Sequence, residues 1–89
     1  MTLPEGWTLE RVRAVANGPA DLLPASTSAW LKGYGEDQRL TPSCAISFSG
    51  LCLVLDDDGV WYMGEADVDG TIVCWSGHGG DLEAAIRSL

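Results

Sequence analysis

Between residues 7 and 16 the apolar positions recur at three- and four-residue steps, with Leu9, Val12, Val15 and Ala16 falling on one helical face. Thr8 has the side-chain oxygen an N-cap needs. Asn17-Gly18-Pro19 then offers a residue able to take positive φ followed by one that cannot continue a helix, so the helix is expected to stop there. Residues 19–43 sustain no period. Pro19, Pro24, Pro42, Gly33, Gly35 and a Ser26-Thr27-Ser28 cluster punctuate them. Within this irregular part, residues 25–32 read as a short helix that sets Trp30 and Leu31 against the body.

From residue 44 the period changes to two. Cys44, Ile46 and Phe48 alternate with Ala45, Ser47 and Ser49, the mark of a strand with one buried face, and Gly50 makes a bend. Residues 51–55 are an unbroken apolar run of central-strand length. Asp56-Asp57-Asp58-Gly59 reads as a turn, residues 60–66 as a third strand, Asp67-Val68-Asp69-Gly70 as a second Asp-Gly turn and residues 71–76 as a fourth strand. A two-residue turn at Asp69-Gly70 would place Gly64 opposite Trp75, whose indole would cover the bare glycine. A three-residue loop ending at Gly70 shifts that pairing by one. Behind Asp81 as N-cap, Leu82, Ala85, Ile86 and Leu89 fall at i, i+3, i+4 and i+7, with Glu83 and Arg87 placed as the helix dipole favours. The expected architecture is α+β: a four-stranded antiparallel β-meander packed with an N-terminal and a C-terminal helix, in a single domain over residues 1–89.

Charge adds what patterning does not. The chain has 89 residues, 13 Asp plus Glu against 5 Lys plus Arg, and a formal net charge of −8. Residues 1–44 hold five acids and four bases, and residues 45–89 hold eight acids and only Arg87. Such a surface repels phosphates, so direct nucleic-acid binding and docking on anionic membranes are not expected. No apolar run approaches the ~18 residues of a membrane span. The three cysteines, Cys44, Cys52 and Cys74, lie inside apolar stretches and read as buried free thiols. With no hydrophobic signal segment at the start, they point to a reducing cytoplasm.

Four patterns suggest chemistry. Glu65-x-Asp67-x-Asp69-Gly70-x-Ile72 matches the opening of an EF-hand calcium loop but has Ser76 where the bidentate Glu belongs, and strand-like flanks, so it reads as a solvated hairpin turn. Asp56, Asp57 and Asp58 diverge along an extended backbone, which argues against a shared ion. Cys74 and His78 contain the atoms of half a zinc site or a thiolate–imidazolium pair and lack partners. Gly77-His78-Gly79-Gly80 would suit an anion at a helix N-terminus, except that Asp81 occupies those donors. No cofactor is implied.

Four tryptophans supply large apolar area. Along the third strand Trp61 and Met63 share a face with Glu65 and Asp67. Either a helix layer covers that pair, or Trp61 and Met63 are exposed among carboxylates as an anchor for a protein partner.

By elimination the expected function is a small acidic protein-binding inhibitor, not an enzyme, that docks on a basic surface, including one a partner uses for nucleic acid. Asp56, Asp57, Asp58, Glu65, Asp67 and Asp69 form the contact set and Trp61 its anchor. In size, charge and style of chain the sequence resembles prokaryotic and phage inhibitors such as anti-CRISPR and toxin-immunity proteins. The alternative is a metal- or small-ligand-binding domain using the acidic turn or the Cys/His pair.

Overall fold

The computed structural model describes residues 1–89. Helix α1 (Leu9–Ala16) begins at Thr8, whose Oγ1 accepts the Arg11 N–H at 3.1 Å, and ends at Asn17 in the left-handed region. Strands β1 (Asp21–Leu22), β2 (Ala29–Leu31) and β3 (Gln38–Arg39) follow, then β4 (Cys44–Phe48), β5 (Leu51–Leu55), β6 (Trp61–Ala66) and β7 (Ile72–Gly77). Helix α2 (Leu82–Arg87) closes the chain with Asp81 as its N-cap. No helix is long and apolar enough to cross a membrane.

All seven strands belong to one sheet in the order β1-β4-β5-β6-β7-β2-β3. The fold is α+β, but the four-stranded antiparallel meander is corrected to a seven-stranded mixed sheet. β4 to β7 pair antiparallel in sequence order, β1 adds to β4, and β2 pairs with β7 in parallel while carrying β3 on its far side. The three additional strands all come from the segment read as irregular. Residues 25–32 are not helical: the Ile72 N–H donates to Ser28 O at 2.9 Å, and this bond seats β2 against β7. Strands of two or three residues are too short for alternation to show in a sequence.

Both faces of the sheet are buried, unequally. On the first, α1 and α2 cover Cys44, Ile46, Phe48, Leu53, Trp61 and Met63. On the second, Ala45, Cys52, Val54, Ile72 and Cys74 pack with Ala29 and Leu40 beneath the segments that carry the short strands. The helix layer reaches only part way along the first face, so its β7-β2-β3 side is open.

The hairpin between β6 and β7 takes the three-residue register. Asp67 N–H donates to Thr71 O, Gly70 N–H donates to Asp67 O, and Gly70 has φ +86°. Gly64 therefore pairs with Cys74, not Trp75, while Met63 pairs with Ser76. Trp75 is the extra residue of a β-bulge. A Cβ on Gly64 would collide with Val73 O and lie 2.7 Å from Cys74 Cα, so the bulge requires glycine.

Candidate interaction surface

The two acidic turns have the same local chemistry. In the β5–β6 turn, Gly59 N–H donates to Asp56 O, Gly59 takes φ +82°, and Asp58 Oδ1 accepts the Val60 N–H at 2.9 Å. In the β6–β7 turn, Asp69 Oδ1 accepts the Thr71 N–H at 2.9 Å and Asp67 Oδ1 accepts the Val68 N–H at 2.8 Å. Hydrogen bonds from the Thr71 backbone and side chain hold the exposed Asp69 carboxyl below its ordinary range. β6 separates the turns by six residues, roughly 20 Å at a strand's rise, so the expected contact set divides between opposite ends of the sheet.

Two members of that set leave it. Asp56 is 5% exposed, and its Oδ1 accepts the Thr41 N–H at 2.6 Å; it ties the loop before β4 to the turn instead of facing a partner. Trp61 is 1% exposed beneath the helices, and Met63 is buried with it. The expectation that Trp61 anchors a partner is therefore overturned. Parity was right in putting Trp61, Met63, Glu65 and Asp67 on one face, but the helix layer ends between Met63 and Glu65, so only the acids reach solvent. Asp57, Asp58, Glu65, Asp67 and Asp69 remain exposed.

The bases are distributed tellingly. Arg11 and Arg87 both pair with Glu83, at 3.9 and 3.3 Å, and Arg13 pairs with Asp21 at 3.4 Å. Only these two carboxylates are in ion pairs, so eleven of the thirteen acids have no cationic partner. Lys32 and Arg39 are in no ion pair either, and both lie on the open side of the sheet.

That side also holds the residues sequence reasoning missed. Trp30 is 37% exposed and Trp75 48%, while Tyr34, between Gly33 and Gly35 in the β2–β3 loop, is fully exposed. The Arg39 guanidinium sits over the Trp30 ring, 6.0 Å from its centroid. The second hairpin register alone would set Trp75 opposite Met63; the bulge that leaves it unpaired lies between Met63 and Gly64 and is not part of that register. Trp30 had no signal in the sequence, since its strand was read as helix.

The residues proposed for metal or nucleophilic chemistry are kept apart. Cys74 is fully buried in the second-face core, where burial raises its thiol to about 12; burial likewise raises Cys44 to about 11 and Cys52 above its ordinary value. His78 Nε2 lies 2.9 Å from Ser76 Oγ, the contact of a base with a hydroxyl nucleophile. Neither residue lines a cavity, and no carboxylate is bonded to the imidazole. No three His, Cys, Asp or Glu side chains converge as metal ligands. The largest hollow, about 450 Å³, is an open apolar groove between the C-terminal ends of both helices and the β4–β5 bend.

Comparison with protein families, curated proteins and solved structures gave no match.

Proposed function

We propose that this chain is a small acidic binding module that occupies a basic surface on another protein and thereby inhibits it, as toxin-immunity and anti-CRISPR proteins do. The observation that carries the reading is the set of eleven carboxylates without a cationic partner, several of them held at defined positions in backbone-bonded turns. Preordered charge costs little side-chain entropy on docking, and complementary fields raise association rates by ~10- to 1000-fold at low salt. Three buried free thiols favour a cytoplasmic setting.

The test is affinity capture of nucleases and nucleic-acid-binding proteins across a salt series. Wild type is compared with a variant carrying Asp57→Asn, Asp58→Asn, Asp67→Asn and Asp69→Asn, in which amide oxygens preserve the turn bonds. Capture is expected to weaken steeply with salt and to vanish in the variant. Capture indifferent to both would refute acidic docking.

A further inference from the structure

α2 packs on β6 at the Trp61 and Met63 end, and on the same face β7, β2 and β3 are left open. The registers align two rows of side chains across them. In the first, Glu65 pairs with Val73, Val73 with Trp30 and Trp30 with Arg39, so an acid and a base stand at the two ends of an apolar pair. At ~4.8 Å per strand this row is about 14 Å long. The second row lies two residues along. Trp75 follows Cys74, whose carbonyl accepts the Lys32 N–H at 2.9 Å, so an indole on β7 stands beside an ammonium at the end of β2. Trp30 is 37% exposed and Trp75 48%. Lys32 and Arg39 are the two bases in no ion pair, and Glu65 and Asp67 match them here in number. A chain of net charge −8 thus has a face on which charge balances.

We propose that this face pairs with the same face of a second copy, in a two-fold dimer whose axis runs along the strands between β7 and β2. Such an axis reverses each row. Glu65 of each copy meets Arg39 of the other, and the Val73 and Trp30 side chains meet between these two pairs. In the second row the Lys32 ammonium of each copy comes over the Trp75 indole of the other, a cation–π pair. A face of one sign would repel its own copy, and a basic partner would meet Lys32 and Arg39. Balanced charge with opposite signs at opposite ends selects a second copy. The row and the six residues of β7 bound a footprint of roughly 14 by 20 Å, a few hundred Å² per copy against the ~800 Å² of a standard interface. The dimer is therefore weak and forms at high concentration. Asp57 and Asp58, on the β5–β6 turn, lie outside this face, so the pairing goes beyond acidic docking and does not depend on it.

Sedimentation velocity of the full chain, from low micromolar to millimolar concentration at low and at high sodium chloride, reads the dimer. Wild type is expected to be monomeric when dilute and dimeric when concentrated, and to dimerise more tightly in high salt, because two copies of charge −8 repel each other. Glu65→Arg and Arg39→Glu are each expected to weaken the dimer by about tenfold or more, since each reversal acts twice across the axis. The double variant should restore it to within about threefold of wild type. Net charge alone predicts otherwise, because Glu65→Arg lowers the repulsion and would tighten the dimer. Both residues are exposed, so neither reversal touches the core. A chain monomeric at every concentration and salt, a dimer that neither single reversal weakens, or one that the double variant fails to restore would overturn the proposal. Capture by a basic partner, measured where the chain is monomeric, stands or falls separately.

Discussion

Gly64 shows how a single missing side chain fixes a strand's geometry. The bulge brings Val73 and Cys74 backbone into the space a Cβ would take, and backbone cannot give way as a flexible side chain can. Gly64→Ala is expected to destabilise the protein by about 3 kcal/mol, read from the urea midpoint. Gly18→Ala, where the new methyl meets nothing within 4 Å and φ is not positive, should shift it by no more than about 1 kcal/mol. A second residue-scale test lies at Tyr62. The Asp58 carboxylate accepts its hydroxyl at 2.8 Å, and this bond, with burial and the nearby negative charge, raises the phenol to about 12 from 10.0. The folded state holds the proton more tightly than the unfolded chain, so the stabilisation is complete below pH 10 and is lost as pH rises towards 12. In Asp58→Asn the Tyr62 phenolate, followed by ultraviolet absorbance, should form at lower pH.

Among the elements, what repeats was legible and what is short was not. Both helices announce themselves by four apolar positions at helical spacing and a capping side chain, β4 by alternation, β5 by an unbroken apolar run, and β6 and β7 by the Asp-Gly turns before them. β1, β2 and β3 span two or three residues, too few for an alternation to repeat, and their pairing is decided by tertiary neighbours: Leu22 by Ile46, Trp30 by Val73 and Arg39. The candidate site suffered for it. Glu65, Asp67 and Asp69 were found because turn chemistry is local, while Trp30 was lost with its strand. Trp61 was misplaced because a parity rule holds along a strand but does not say where a covering helix stops. The same shortness has a dynamic consequence. β1 and β3 are edge strands with exposed side chains, so little buried apolar surface resists their opening. In hydrogen exchange followed by NMR, bonded amides of β1 and β3 are expected to exchange well before those of β5 and β6; equal protection throughout would mean that the sheet opens only as a unit.

For the molecule as a whole, the unpaired charge acts on stability and on binding with opposite sign. The protein measures 37 × 25 × 21 Å, so many of its eleven unpaired carboxylates lie within a few Debye lengths of one another, ~10 Å at 0.1 M salt. Their mutual repulsion opposes the compact state and is relieved by counterions. Salt also weakens the three ion pairs, but these are solvent-exposed and contribute little, with median values of ~0 to 1 kcal/mol. Relief of repulsion wins, and the melting temperature is expected to climb as sodium chloride is added. The proposed docking on a basic partner should go the other way, since the same counterions would screen the attraction between the surfaces. One salt series read twice, by calorimetry on the free protein and by titration with a blocked peptide alternating Arg and Ala, should therefore give a rising Tm and a falling affinity. A Tm that falls with salt would show that exposed ion pairs outweigh self-repulsion. It would also weaken the case that the excess carboxylates are kept at a cost to the fold for the sake of a cationic partner.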